Sequence, residues 1–153
     1  MTETPQFPLE QAWIYKVSVL SDRVARNVSV VLAEVSNLNL SQWRVIAAVA
    51  DKQGRTASQV VAVTPMDKGI VSRAVASLVE RGLLKRMASK TDGRLSHLLL
   101  TTEGNKIYRK IVTRLDESGA SGRISIPEGE QARLNDLLDE FLGMYTSLGS
   151  VDT

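Results

Sequence analysis

Apolar residues recur at steps of three and four along the first part of the chain, from Leu9 to Val35. Steps of this size place side chains on one face of an α-helix, so the pattern predicts one helix of about seven turns. A helix this long finds little core within a 153-residue monomer, so we expect its apolar stripe to pack on a second copy of the chain. Packing on its own core is the alternative. The stripe comprises Leu9, Trp13, Val17, Leu20, Val24, Val28, Val31 and Val35.

Two shorter helical patterns follow. Ser41 is expected to cap a helix over QWRVIAAVADK, which Gly54 ends. In the next run, TASQVVAV, Thr56 and Gln59 have the T-x-x-Q spacing of a capping box. This spacing predicts a helix of about two turns, because the next turn signal follows closely. The inward positions predicted for the first of these helices are Trp43, Ile46, Ala47 and Val49 or Ala50.

The stretch TPMDKGIVSRAVASLVERG, from Thr64 to Gly82, predicts a helix with small residues on its outer face. Thr64 is expected as the N-cap, Pro65 at the first helical position and Asp67 at the third. A face without bulky side chains can approach a DNA major groove closely. A solvated amphipathic helix is the alternative. The predicted inner stripe is Val71, Ala74, Val75 and Leu78, and the outer side carries Gly69, Ser72, Arg73, Ala76, Ser77 and Glu80.

The remaining patterns predict a hairpin and two further helices. The extended runs LLKRMA and LSHLLL flank Asp92 and Gly93, a reversal signal typical of a β-hairpin. A helix returns over 101–117, and the SGASG run that follows predicts a flexible joint. Ser125 and Glu128 form a capping box at the start of a last helix. Its wide apolar stripe is Leu134, Leu137, Leu138, Phe141, Leu142 and Tyr145.

The order of these elements predicts a mostly α fold with a small β-hairpin wing, which is a winged helix-turn-helix. Residues 1–38 are expected to form an N-terminal dimerisation arm and helix, and residues 39–100 a DNA-binding lobe. Residues 101–153 are expected to form C-terminal dimerisation helices. Because both terminal helices carry apolar stripes, we expect two copies to interleave them in one intertwined domain.

Basic residues are concentrated in the middle of the chain, although the net charge is only +2. Nine basic residues stand against three acidic ones between Lys52 and Arg94, whereas residues 125–153 contain six acidic residues and one basic residue. A polyanion would therefore bind the middle of the chain. The start, MTETPQFPLEQ, has no signal-peptide pattern, and no apolar run approaches about eighteen residues. We therefore expect a cytoplasmic protein without membrane contact.

Enzymes are the main competing class. The chain has no cysteine and one histidine, which excludes thiolate catalysis and leaves little for acid–base work. It contains no Gly-rich phosphate loop, H-E-x-x-H or nucleophile elbow. Asp139 and Glu140 fall on the outer face of the leucine-striped helix, where they are expected to be solvated. We therefore predict no catalytic residue, cofactor or metal.

Several words of the sequence occur in a fixed order: LSQWRVIAAV, VTPMDKGIVSRAVASLVERGLLKR, DGR and LLLTTEG. Together they resemble the MarR family of bacterial winged helix-turn-helix transcription regulators over roughly residues 9–145. The stretch MDKGIVSRAVASLVERGLL is similar to the family's recognition helix. Asp92 and Arg94 resemble its wing pair, and they are followed by the L-T-x-x-G word of Leu100, Thr101 and Gly104.

The resemblance implies a homodimer that binds double-stranded DNA at a pseudo-palindromic operator with half-site centres about 10 bp apart. Arg73 is the candidate for a bidentate guanine contact. Arg94 is the only wing arginine available for the minor groove, because Gly93 stands where the family often has another, and Asp92 is expected to hold Arg94 extended. A solvated surface, or for Asp92 a plain turn residue, is the alternative. The predicted DNA-binding residues are Thr56, Ser58, Lys68, Gly69, Ser72, Arg73, Ser77, Lys90, Asp92 and Arg94.

The resemblance also implies a repressor that a small ligand, often an aromatic or phenolic carboxylate, releases from DNA. Trp13, Lys16, Arg23 and Trp43 are candidate pocket residues, although tryptophans in such helices more often belong to the core. The lack of cysteine and the single His97 argue against the oxidation-sensing and zinc-sensing subclasses. The alternative function is a winged-helix module for protein or RNA contact without ligand control. Such a module would bind DNA weakly and without sequence preference.

Overall fold

The computed structural model describes residues 8–88, 96–121 and 126–148. The chain divides into two compact units, residues 1–121 and residues 122–153. In the described residues, the first unit contains five helices and a two-stranded antiparallel sheet, and the second contains one helix. The elements are α1 (Trp13–Val35), α2 (Leu40–Asp51), α3 (Ala57–Val63), α4 (Lys68–Glu80), β1 (Leu84–Ala88), β2 (Ser96–Leu100), α5 (Thr102–Glu117) and α6 (Glu128–Leu148).

The core of the first unit forms around α2, which packs against α1, α3, α4, α5 and the sheet. Complete burial of a leucine or isoleucine contributes roughly 1.5–3 kcal/mol, so this shared core holds the elements together. The inner stripe predicted for α4 is buried as expected. The largest fully buried side chains come from six elements and are Leu32, Ile46, Leu78, Leu84, Leu98 and Ile111.

The inward face predicted for α2 is largely confirmed. Ile46 and Val49 are buried, and Trp43 is half-buried against the core. Ala47 is only half-buried, whereas Val45 and Ala48 are buried and were not predicted. Because α2 meets neighbours on several sides, its apolar residues are spread too widely around the helix for spacing alone to identify the buried stripe. The residues buried in α2 are Gln42, Val45, Ile46, Ala48 and Val49.

Three helix starts differ from the predictions. The backbone N–H groups of Gln11 and Ala12 both donate to the carbonyl of Pro8 at 3.0 Å, so a turn precedes α1, which begins at Trp13 rather than Leu9. Asn39, not Ser41, caps α2. The cap of α4 is also displaced, by a full turn. For α2 and α4 the predicted and the observed caps are all residue types that favour the N-cap position, so sequence alone could not choose between neighbouring candidates.

At α4 the predicted cap, Thr64, instead closes the preceding helix. Its hydroxyl donates to the carbonyl of Val60 at 2.8 Å, at the end of α3. Pro65 and Met66 occupy the turn, and Asp67 becomes the N-cap of α4. The connection between α3 and α4 is therefore longer than predicted, and α4 is shorter by about one turn.

The predicted hairpin is confirmed. Strand β1 pairs antiparallel with β2 in the register Leu84 with Leu100 through Ala88 with Ser96. A bridge between Thr56 and His97 adds the segment before α3 to the open edge of β2. Strand β2 of the wing is therefore paired directly with the segment that precedes the helix-turn-helix.

The apolar stripe of α1 is covered at only one end. Val31 and Leu32, near the C-terminal end, are 3% and 1% exposed, whereas Leu20 and Val24 on the same helix are 60% and 46% exposed. Considered by itself, α6 also carries exposed apolar side chains, including Leu134 and Leu142. None of the helices in the described ranges combines the length and apolarity needed to cross a bilayer.

Candidate nucleic-acid interface

The outer face of α4 begins at a capped turn. The carboxylate of Asp67 accepts a hydrogen bond from the backbone N–H of Ile70 at 2.7 Å, which satisfies one donor of the helix N-terminus. Lys68, Gly69 and Ser72 are exposed on this side. This end of α4 therefore offers short side chains and one lysine to an approaching surface.

Arg73 is exposed one turn further along, and its guanidinium lies over Gly69. A Cβ atom placed on Gly69 would lie 3.4 Å from Nη1 of Arg73 and 3.2 Å from Oδ1 of Asp67. These two groups therefore adjoin the space that a larger residue at position 69 would fill. The guanidinium of Arg73 therefore lies close to the N-terminal turn of α4.

Ser77 is half-buried and already hydrogen-bonded. Nε2 of Gln42 in α2 donates to Oγ of Ser77 at 2.9 Å. Oε1 of Gln42 accepts from the backbone N–H of Asn39 at 2.9 Å and from Nη1 of Arg81 at 3.4 Å. Gln42 was not among the residues predicted from the sequence, although its N-x-x-Q spacing from Asn39 is a capping-box signal.

The start of α3 carries the two hydroxyl residues predicted near DNA. The capping box predicted there is confirmed, since Oγ1 of Thr56 accepts from the backbone N–H of Gln59 at 3.3 Å and the Gln59 side chain accepts from Thr56 at 2.9 Å. Ser58 is exposed in the first turn. The hydroxyl oxygen of Thr56 is thus engaged within the fold, and Ser58 is the more accessible of the two.

Two of the basic residues in the middle of the chain hold the fold together. The side chain of Arg55 is 14% exposed, pairs with Asp51 at 2.7 Å and donates to the carbonyl of Ala48. Nη1 of Arg81 donates to the carbonyl of Asn37 at 3.0 Å. A polyanion would therefore meet chiefly the other exposed cations of this segment. On α4 and β1 these are Lys68, Arg73, Lys85 and Arg86.

The structure describes the base of the wing. Leu84 is the only buried residue of β1, so the rest of this strand extends away from the core with Lys85 and Arg86 exposed. Lys90, Asp92 and Arg94, the residues predicted near the wing tip, lie outside the described residues.

Thr101 fastens the end of α4 to the start of α5. Its Oγ1 donates to the carbonyl of Gly82 at 2.7 Å and accepts from the backbone N–H of Gly104 at 3.0 Å. Its own backbone N–H donates to the carbonyl of Leu83 at 3.1 Å. A Cβ atom on Gly104 would lie only 2.1 Å from that same oxygen. The L-T-x-x-G word thus corresponds to a close backbone contact that only glycine permits.

The residues predicted for a ligand pocket are distributed over separate surfaces of the first unit. Lys16 and Arg23 line a groove along α1. Trp43 lines a different groove, between α2 and the end of α3, and stacks on Tyr108 with ring centroids 5.9 Å apart. Trp13, in the first turn of α1, is 45% exposed. Within one copy, therefore, Trp43 is not in the groove of Lys16 and Arg23.

A further groove, which was not predicted from the sequence, lies where α1 meets the end of α5. Arg114 of α5 pairs across it with Glu34 of α1 at 2.8 Å. Asn27 and Val30 line its α1 side, and residues 118–120 line the other. The groove thus combines an amide, an apolar wall and a guanidinium.

Known proteins resemble the chain in sequence. Residues 36–95 match the model of the MarR family. The HTH-type transcriptional regulator FarR of Neisseria gonorrhoeae is 29% identical over 119 residues, which cover 75% of this chain and 79% of that protein. The homoprotocatechuate degradative operon repressor of Escherichia coli is 27% identical over 116 residues, covering 72% and 75% respectively.

Solved structures share the fold. CouR from Rhodococcus jostii RHA1, bound to p-coumaroyl-CoA, superimposes with a TM-score of 0.78 at 21% identity over 89% of this chain and 95% of that one. A MarR variant from E. coli complexed with operator DNA gives a TM-score of 0.73 at 19% identity over 91% of this chain and 99% of that one. At these identities the solved structures establish the shared architecture alone.

Proposed function

We propose, from the premise that this chain belongs to the MarR family of winged helix-turn-helix transcriptional regulators, that it is a homodimeric repressor of a palindromic operator. Two copies insert α4 into successive major grooves of one duplex, and the wings reach the adjacent minor grooves. A small aromatic or phenolic ligand releases the DNA. The site of action is the cytoplasm.

The observation that carries the proposal is the outer face of α4. Gly69 and Ser72 carry little or no side chain on this face, and Arg73 places an exposed guanidinium on it. A guanidinium can donate two parallel hydrogen bonds to O6 and N7 of a guanine, which is the commonest base-specific contact in the major groove. Lys68 beside the helix start suits a phosphate contact, which positions the protein without reading sequence.

The exposed end of α1 supports the dimer. Its apolar stripe is continuous in sequence, but only the C-terminal part of it is buried in one copy. Apolar patches of this kind on a soluble chain mark interaction surfaces. A second copy is the proposed occupant, because a symmetric pair also supplies the second recognition helix that a palindrome requires.

The ligand-controlled step is supported by the relatives and by the groove between α1 and α5. CouR was solved with p-coumaroyl-CoA, and one relative is named for the degradation of homoprotocatechuate, so both concern aromatic compounds. In this chain a ligand that entered the groove beside Arg114 and Glu34 would contact both α1 and α5. A hundredfold loss of DNA affinity needs only about 2.7 kcal/mol of coupling, within the usual range of allosteric proteins.

Selection from random duplex DNA tests this function. We expect the purified protein to enrich one inverted repeat and to bind it with a dissociation constant that rises steeply with salt, because several phosphates are neutralised. Phenolic carboxylates added to the recovered complex should weaken it. If no sequence is enriched and all duplexes bind with equal weakness, the protein is a winged-helix module of another kind and the proposal fails.

A further inference from the structure

Gln42 is the one buried polar side chain in the parts of the chain that the structure describes, at 8% exposure. Its amide takes part in three hydrogen bonds. Nε2 donates to Ser77 of α4, and Oε1 accepts from the backbone of Asn39 and from Arg81 at the end of α4. One side chain of α2 thus contacts α4 at two points, one turn apart.

The buried stripe of α4 is aliphatic. Val71, Ala74, Val75 and Leu78 form the buried stripe of α4, and dispersion contacts of this kind have no preferred direction. The crossing angles of packed helices accordingly scatter by roughly 15–20° about their preferred values, and aliphatic contacts alone do not fix the rotation of a helix about its own axis. A roll of about 20° would displace atoms about 6 Å from the helix axis by about 2 Å, which is enough to break a hydrogen bond to a base.

A hydrogen bond to a buried amide restricts this roll. If α4 turned about its axis, Ser77 would move away from Nε2 of Gln42, and the amide would be left buried without its acceptor. An unsatisfied buried donor is costly. The hydrogen bonds that Arg81 donates to Oε1 of Gln42 and to the carbonyl of Asn37 oppose the same motion one turn further along.

We propose that Gln42 is a positioning residue that fixes the rotation of α4 about its own axis, and hence the direction in which Arg73 and Ser72 face the DNA. Gln42 acts through Ser77 and Arg81 and does not itself read a base. Since Arg81 also binds the segment between α1 and α2, the cluster of Gln42, Ser77 and Arg81 connects the end of the long helix to the reading face. This inference rests on the proposed function, in which α4 reads base pairs.

The test compares operator discrimination in Gln42→Met with that in the unchanged protein. Dissociation constants are measured by fluorescence anisotropy for the selected operator, for each single-base-pair variant of one half-site, and for an unrelated duplex. Discrimination at a position is the ratio of the dissociation constant for the base-pair variant to that for the selected operator. We expect this ratio to fall at least tenfold in Gln42→Met at several neighbouring positions, because every contact of a rotated helix is displaced. Affinity for the unrelated duplex should stay within threefold. A lost direct contact would instead relax one position only.

Two further variants separate positioning from simple weakening. Ala48→Gly alters a buried, apolar position of the same helix, so it should lower the melting temperature and leave discrimination unchanged. Ser77→Ala removes the acceptor on α4 without disturbing the cap of α2, and it should reproduce the broad loss. Adding Gln42→Met to Ser77→Ala should then cause little additional loss, because both changes remove the same bond.

The outcomes distinguish the two claims. If the unchanged protein does not discriminate between duplexes, the proposed function fails and this inference fails with it. If the unchanged protein discriminates and either Gln42→Met or Ser77→Ala keeps that discrimination, only the positioning role is overturned. A loss confined to one base pair, or an equal loss in Ala48→Gly, also overturns it. Where Gln42→Met does not fold, the result for Ser77→Ala decides between the two outcomes.

Discussion

The guanidinium of Arg73 lies beside Gly69, in the first turn of α4. Asp67 caps the same turn. The sequence alone identified Arg73 and Gly69 as members of one outer face. It did not reveal that the guanidinium lies close to Gly69, because that depends on the rotamer of a long side chain.

Replacing Arg73 with alanine should weaken operator binding by about 1–3 kcal/mol and relax specificity at one base pair. The reason is the loss of a bidentate contact to a guanine edge. Titration of the selected operator and its single-base-pair variants measures both effects. Lys68→Ala is the matched control, since a lost phosphate contact should weaken all duplexes equally and reduce the salt slope by about one. If Arg73→Ala behaves like Lys68→Ala, Arg73 contacts a phosphate instead.

Gly104→Ala should destabilise the fold by about 1–3 kcal/mol or more, because the new Cβ would overlap a backbone oxygen that cannot easily move. That oxygen, of Leu83, would lie 2.1 Å from the added Cβ atom. Thermal unfolding followed by circular dichroism measures the effect, with about 2–4 °C expected per kcal/mol in a chain of this size.

Gly129→Ala provides the control for that experiment. It lies in α6, and a Cβ there would meet nothing within 4 Å. Alanine is the better helix former, so this variant should be neutral or slightly more stable. Equal destabilisation by both variants would show that the close backbone contact at Gly104 is not the cause.

At the scale of elements, the type and order of the helices in the described residues followed from apolar spacing together with capping and turn signals, and the hairpin followed from its two extended runs. Helix starts were less predictable. Thr64 and Asp67 are both good caps three residues apart. The Thr64 hydroxyl donates to the carbonyl of Val60 at the end of α3, and Asp67 caps α4 instead. Such competition depends on the end of the preceding helix, which local sequence rules do not include.

Asp67→Ala should therefore lower the free energy of unfolding by about 1 kcal/mol through loss of the cap of α4. Asp67→Asn should retain most of that stability, because the amide oxygen can still accept the hydrogen bond from Ile70. Chemical denaturation of the two variants decides between them. If asparagine is as harmful as alanine, the interaction of charge with the helix dipole matters more than the hydrogen bond.

At the scale of the whole molecule, the sequence predicted a second copy of the chain because α1 is too long for one core. In the structure, Leu20 and Val24 are exposed on the part of α1 that the core does not reach. How two copies meet could not be derived from spacing, since an apolar stripe specifies that something covers it but not the geometry of the cover. Spacing likewise did not show that Trp43 lies in a different groove from Lys16 and Arg23, because their relative positions depend on tertiary packing.

Leu20→Glu should raise the dissociation constant of the dimer at least tenfold, equivalent to about 1.4 kcal/mol, because a carboxylate would be buried in each half of the interface. Sedimentation equilibrium at several concentrations measures it. Ser18→Glu adds the same charge to the same helix away from the apolar stripe, and it should leave the dimer intact. Equal effects of the two variants, or a folded monomer in the unchanged protein, would contradict the proposed interface.

The central claim is that a symmetric pair presents two α4 helices to one duplex, and a hydroxyl-radical footprint on the selected operator tests it most directly. We predict two equally protected patches related by inverted sequence, with centres about 10 bp apart on one face of the DNA. A single protected patch, or two patches without inverted symmetry, would contradict the account.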